Sequence, residues 1–153
     1  MMKSILPGLL TCLLLSCALF EKSKIEEVYF NEALYPKDTH FNIVLKDIDV
    51  QKDLDSATIR GNAEEIFTLL IKKYNQKKGA SATEAYTSVV LKETSYISDY
   101  ENLNTVALEI KIFGENDNDP VRILLFSEET KNTLSSYRYL YSIVERSFRR
   151  IFP

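Results

Sequence analysis

Few residues in this chain have the chemistry of a catalytic or metal-binding group. Its only two cysteines, Cys12 and Cys17, lie within the first 17 residues. Since no later cysteine can pair with either, a disulfide framework, a cysteine metal site and a cysteine nucleophile are excluded from the folded part. His40 is the only histidine, which leaves no Ser-His-Asp or Cys-His arrangement and too few ligands for zinc. We therefore expect a protein that is not an enzyme and that uses no cofactor.

The acidic residues contain one weak metal pattern. Glu115, Asp117 and Asp119 alternate like the start of a calcium loop, but that loop needs Gly at its position 6 and Glu at position 12, which are missing here. Residues such as Asn, Asp, Gly and Pro are what a hairpin connection requires. We therefore prefer a turn between Gly114 and Pro120 to a calcium site, and we expect no metal.

Four arginines near the end of the chain form the most suggestive charged group: Arg138, Arg146, Arg149 and Arg150. Cations near a helix C-terminus stabilise the helix without any other function. The alternative is contact with an anionic group, a lipid or a partner, because guanidinium binds phosphate in a bidentate manner. Both interpretations stay open from the sequence.

The length and charge of the chain narrow its class. It has 153 residues, 45% of them hydrophobic, and a net charge of −3. This profile is typical of one soluble globular domain with a single core. The negative charge argues against nucleic acid as a partner.

The N-terminus has the pattern of a secretory signal. Lys3 precedes an apolar run from Ile5 to Leu15, and charged sequence begins again at Glu21. A membrane-spanning helix needs about 20 apolar residues, and this run is shorter and interrupted by Pro7 and Gly8. A short apolar run after a basic start, ending at a small residue, favours a cleaved signal over an uncleaved anchor helix.

The sequence Leu14-Leu15-Ser16-Cys17 resembles the lipobox of bacterial lipoproteins. That resemblance implies cleavage after Ser16 and a diacylglyceryl group on the Cys17 thiol, where several acyl chains give stable anchoring. The alternative is an ordinary signal with an incidental cysteine. We expect a signal peptide over 1–16, a tether over 17–38 and one domain over 39–153. In the lipoproteins that this lipobox resembles, Asp after the cysteine favours the inner membrane. The resemblance therefore implies that Ala18 favours the outer membrane, and we expect a lipid-anchored protein on its periplasmic face.

The mature chain shows alternating strand patterns and two helical stripes. Apolar residues alternate from His40 to Leu45, which predicts a strand, and a helix with Asp55 or Ser56 as its N-cap should run to about Lys78. Its last turns hold four lysines, which suit the helix dipole: Lys72, Lys73, Lys77 and Lys78.

Three further strands and a final helix complete the predicted order. The strands are expected at Ala85 to Ile97, Leu103 to Phe113 and Val121 to Ser127, and the helical period returns from Glu128 onwards. We assign the tether no strand, only a short helical turn within Ile25 to Leu34. The fold class is therefore α+β, a two-layer β-α-β-β-β-α sandwich with a mixed four-stranded sheet and two helices on one face.

A lipobox followed by this order of elements resembles the LptE family of outer-membrane lipoproteins. In that family a small α/β domain plugs the barrel LptD and contacts lipopolysaccharide. Here Cys17 is followed by Ala-Leu-Phe-Glu-Lys, without the short aromatic-glycine stretch usual in that family. The resemblance implies an assembly or scaffold component of the envelope, with an outer-membrane β-barrel protein and lipopolysaccharide or another lipid as partners. The alternative function is a tethered module that binds a small or lipidic ligand.

Overall fold

The computed structural model describes residues 23–31, 35, 39–52, 54–78, 82–114 and 118–152. Five strands and two helices follow one another along these residues. Their order and bounds are β1 (Lys24–Phe30), β2 (Phe41–Gln51), α1 (Ser56–Lys78), β3 (Thr83–Ser98), β4 (Glu101–Gly114), β5 (Pro120–Thr130) and α2 (Tyr137–Ile151).

The strands form one mixed sheet in the order β1-β5-β4-β3-β2. Strands β2 and β3 are parallel and are joined through α1, whereas the other neighbouring pairs are antiparallel. A two-residue turn joins β3 to β4, and both of its residues, Asp99 and Tyr100, have positive φ (47° and 66°). Positive φ at both positions is the geometry of a type I′ hairpin turn, whose twist matches that of the strands.

Both helices pack on the same face of the sheet. On β3, alternate side chains from Ala85 to Glu93 face the helices and are buried, as alternation on a half-covered sheet requires. Buried residues of α1, such as Ile66 and Phe67, join buried residues of α2, such as Leu140 and Val144, in one core. The other face of the sheet has no helix over it among the described residues.

The two helices begin at one end of this layer and finish at the other. Lys52, just before α1, contacts Thr133, just before α2. Tyr74 on the last turns of α1 contacts Phe148 near the end of α2. We call these the amino-terminal end and the carboxyl-terminal end of the helical layer.

The fold class is confirmed, with one strand more than predicted. The class, the mixed sheet and the two helices agree with the sequence analysis, but the sheet has five strands rather than four. The extra strand β1 lies in the segment assigned to the tether, and the helical turn expected there is wrong for Ile25 to Phe30. Among the described residues, this edge strand pairs only with β5, and a bulge between Glu27 and Tyr29 breaks its alternation, so its pattern was not that of a regular strand.

The boundary between the last strand and the last helix also differs. Strand β5 continues to Thr130, and α2 begins only at Tyr137. Glu128 and Thr130 are buried polar residues on the helix-facing side of β5. Polar side chains at inward positions hide the alternation that marks a strand, which explains the premature prediction of a helix from Glu128.

Candidate functional site

The structure separates the four predicted arginines along α2. Arg138 lies in the first turn and Arg149 in the last, about 16 Å apart along the axis at 1.5 Å per residue. Arg146 points to the sheet edge, where its guanidinium lies 5.3 Å from the Phe126 ring centroid and 3.4 Å from the Ser23 hydroxyl oxygen. Arg149 lines a cleft between the two helices.

That cleft lies at the carboxyl-terminal end of the helical layer, between α1 and α2, and has a volume of about 520 Å³. Its lining combines apolar, basic and acidic side chains from both helices: Leu70, Lys73, Tyr74, Lys77, Glu145, Phe148, Arg149 and Phe152. This is within the ordinary size range of small-ligand sites. We call it the helix-end cleft.

Three aromatic rings form the floor of the helix-end cleft. The Phe148 and Phe152 centroids are 4.7 Å apart, and the Tyr74 centroid lies 5.0 Å from that of Phe152 and 6.0 Å from that of Phe148. Tilted and edge-on pairs at these distances are favourable aromatic arrangements. Burial raises the pKa of the Tyr74 hydroxyl, against a hydrogen bond with the Phe41 backbone and the Arg122 charge, which lower it.

The rim of the helix-end cleft is basic. Lys73 and Lys77 of α1 are exposed, and the Arg149 side chain is 75% exposed. Glu145 is the single acidic residue of the lining, and its carboxylate is 2.8 Å from the Arg149 guanidinium. Within the part of the chain that the structure describes, no ion pair involves Lys73 or Lys77.

A second charged group, at the amino-terminal end, was missed by the sequence analysis. The Lys52 ammonium lies 2.7 Å from the Glu93 carboxylate, and these side chains are only 15% and 2% exposed. The Thr133 hydroxyl and the Leu134 backbone N–H also donate to Glu93, while Lys52 donates to Thr133 and Ser135. Glu93 follows Leu91 on the inward side of β3. A charged residue at an inward position of a strand was therefore the sequence feature that could have indicated this group.

The Lys52–Glu93 group has the geometry of a structural connection. A general base needs a free electron pair within reach of a substrate proton, but the Lys52 ammonium is held by one carboxylate and two hydroxyls. These contacts join β2, β3 and the segment before α2. The group therefore ties the amino-terminal end of the molecule together.

The uncovered sheet face holds a band of apolar side chains near the carboxyl-terminal end. Tyr29 and Val44 are 41% and 39% exposed at the two edges. The strand registers place half-buried Ile123 beside Tyr29, and half-buried Tyr86 and Phe113 beside Val44, with Lys111 opposite Ile123. We call the five residues other than Lys111 the sheet-face band. Contiguous exposed apolar surface is a common mark of an interaction site.

Several predicted features lie outside the described residues, including Cys17, the lipobox and most of the candidate calcium loop. Of that loop Asp119 is described, and it is exposed next to β5. Among the described residues, no group of three His, Cys, Asp or Glu side chains is placed to hold a metal ion. None of the helices in the same residues is long and apolar enough to cross a membrane.

The fold belongs to the class of two-layer α+β sandwiches with one helical layer on a mixed sheet. No protein-family model matches the chain, and no curated protein sequence matches it. Two solved PelC dodecamers from Paraburkholderia phytofirmans, one of them a variant, are similar, with TM-scores of 0.57 and 0.53 at 10% and 9% identity. Each comparison covers 85% of this chain and 97% of the PelC chain. At such identities the likeness shows the fold alone.

A further similar structure is the hypothetical protein CT253 from Chlamydia trachomatis. Its TM-score is 0.37 at 8% identity, covering 74% of this chain and 93% of that one.

Proposed function

We propose that this chain is a non-enzymatic outer-membrane lipoprotein, anchored through Cys17, that acts as a scaffold component by assembling with further copies of itself. The sheet-face band carries the proposal, because it is an apolar surface on the side of the sheet away from the helices. Similar PelC structures are dodecamers, which supports a second copy as the occupant of such a surface. One self-complementary contact between copies is enough for a two-fold dimer, and one repeated heterologous contact is enough for a ring.

The non-enzymatic part of the proposal rests on the two charged groups. The Lys52–Glu93 ion pair is enclosed by hydrogen bonds from its own chain. The helix-end cleft offers basic and aromatic side chains but only one carboxylate, Glu145, which is paired with Arg149. Neither group supplies the pair of acid and base that hydrolysis commonly uses.

Self-assembly is tested by measuring the mass of the full chain in detergent by light scattering after size-exclusion chromatography. We expect a multiple of the protomer mass for the unaltered chain and a protomer for Tyr29→Glu/Val44→Glu, because buried unpaired carboxylates oppose association. Leu69→Glu is the matched control: Leu69 is 56% exposed but lies on α1, so this variant should keep the oligomeric mass. A protomer mass for the unaltered chain would contradict the proposal.

The anchor is tested separately by labelling with radioactive palmitate. Cys17→Ser should lose the label and accumulate precursor, whereas Cys12→Ser should be labelled and processed normally. Label retained by Cys17→Ser would contradict the lipobox assignment. Separation of the envelope membranes then tests the outer-membrane location.

The predicted role in lipopolysaccharide transport remains a more specific form of this proposal. It requires an outer-membrane β-barrel protein as partner. Co-purification of such a barrel with the Cys17-anchored chain, and its loss from Tyr29→Glu/Val44→Glu, would favour that role over assembly of this chain with itself.

A further inference from the structure

The helix-end cleft presents two unlike surfaces side by side. Its floor contains Leu70, Phe148 and Phe152, which are 5–7% exposed, and its rim contains Lys73, Lys77 and Arg149. A hydrocarbon ligand would cover the floor but would not pair with Lys73 and Lys77. A free inorganic anion would pair with the cations but leave the apolar floor in contact with water.

An anionic amphiphile satisfies both surfaces at once. The guanidinium of Arg149 suits two phosphate oxygens, and the lysine ammonium groups add point charges around them. The helix C-termini favour nearby cations, which accounts for lysines in the last turns of α1. That effect does not account for the aromatic side chains that line the cleft between the two helices.

The residue directly before β1 lies beside α2. Ser23 lies beside Arg146, with the Arg146 guanidinium 3.4 Å from the Ser23 hydroxyl oxygen, and Arg149 follows one turn later on α2. Five residues lie between Cys17 and Ser23, so these two residues are at most about 20 Å apart. An acylated Cys17 would therefore hold the Arg146 face of α2 within about 20 Å of a bilayer surface.

We infer that the helix-end cleft binds one anionic phospholipid, with its phosphate among Lys73, Lys77 and Arg149 and the first acyl carbons over Phe148 and Phe152. Closeness to the bilayer rests on the proposed Cys17 anchor, whereas the cleft itself rests on described residues. The occupant is the lipid headgroup with its chain, because inorganic phosphate has no part that covers the floor.

The test is native mass spectrometry of the full chain in detergent, with added phosphatidylglycerol or phosphatidylcholine of equal chain length. We expect one phosphatidylglycerol adduct per protomer and about tenfold weaker binding of phosphatidylcholine, because each basic side chain near an anionic lipid adds several-fold to affinity. Lys73→Glu/Lys77→Glu should reduce phosphatidylglycerol binding at least about tenfold for the same reason. Both lysines are exposed, so this variant should remain folded.

Lys46→Glu/Lys72→Glu is the matched control, since it makes the same change of charge at two exposed lysines that do not line the cleft. It should bind phosphatidylglycerol like the unaltered chain. Equal losses in the two double variants would show attraction to overall charge and overturn the inference. Equal binding of the two lipids would also overturn it, and so would displacement of phosphatidylglycerol by equimolar inorganic phosphate.

The same sample separates this inference from the proposed anchor. A denaturing spectrum reads the covalent mass on Cys17, while the native spectrum reads the non-covalent adduct. An adduct on a chain without covalent lipid would support the cleft and contradict the anchor. Covalent lipid on Cys17 without a non-covalent adduct would support the anchor and contradict lipid binding in the cleft.

Discussion

Basic side chains occupy both ends of the helical layer, but in opposite settings. At the amino-terminal end Lys52 is 15% exposed and paired with a Glu93 carboxylate that is 2% exposed. At the carboxyl-terminal end Arg149 is 75% exposed, and Lys73 and Lys77 are also exposed. The same kind of charge is therefore enclosed by the protein at one end and open to an outside partner at the other.

Burial decides what each group contributes. A buried charge must be paired and hydrogen-bonded, because it has lost water as a partner, and Glu93 accepts from Lys52, Thr133 and the Leu134 N–H. An exposed cation adds little to stability and keeps its capacity to bind an anion. The amino-terminal end should therefore govern folding, and the carboxyl-terminal end should govern binding.

The largest expected effect is from Glu93→Ala. Removing the carboxylate leaves the Lys52 ammonium and the Leu134 N–H without their buried partner, so the free energy of unfolding should fall by about 3–5 kcal/mol. Equilibrium urea denaturation measures this change. The control is Glu101→Ala, which breaks an exposed 2.8 Å pair with Lys131 and should cost at most about 1 kcal/mol. Equal losses in the free energy of unfolding for the two variants would contradict the proposal that the enclosed charges of the amino-terminal end govern folding.

A smaller effect is expected at the other end from Phe152→Leu. The leucine keeps much of the apolar volume but loses ring pairs with Phe148 and Tyr74 at 4.7 and 5.0 Å. Two such pairs contribute about 1–3 kcal/mol together, and thermal unfolding followed by circular dichroism should show the loss.

Tyr100→Leu is the control for that variant. Tyr100 is an aromatic residue that is fully exposed in the β3–β4 turn, so its replacement should change stability by no more than about 0.5 kcal/mol. If Phe152→Leu were as mild, the ring pairs of Phe152 with Phe148 and Tyr74 would contribute little to stability.

Regular local patterns explain how much of this fold could be predicted. The α1 stripe from Ile59 to Leu70 and the alternation in β3 and β4 are set by neighbours along the chain. Strand β1 could not be found in this way, because an edge strand with a bulge is specified by its pairing with β5, about a hundred residues later. The ion pair of Glu93 could not be predicted from local patterns either, because Glu93 lies on β3 and its partner Lys52 directly follows β2.

The helix-end cleft was only half visible in the sequence. Arg149 was a candidate for anion contact, while Lys73 and Lys77 were interpreted as partners of the α1 dipole. Only the packing of the two helices brings these cations to one aromatic floor. Arg138 and Arg146 were grouped with Arg149 by spacing, but the first lies at the opposite end of α2 and the second contacts Phe126 on β5.

The smallest expected effect concerns pH at the carboxyl-terminal end. Burial raises the pKa of Tyr74, so in alkali the hydroxyl ionises in the unfolded chain before it ionises in the folded one. Its contribution to stability is therefore complete below the ordinary tyrosine pKa of about 10 and declines as the pH rises above that value. Tyr74→Phe lacks this group, so the difference in free energy of unfolding between the two proteins should shrink steadily from pH 9 to pH 11. Urea denaturation across this range measures it, and Tyr100→Phe, at a fully exposed position, should show no such trend. A constant difference for Tyr74→Phe would mean that the Tyr74 hydroxyl is not desolvated in the folded chain, so Tyr74 would not belong to the buried floor of the helix-end cleft.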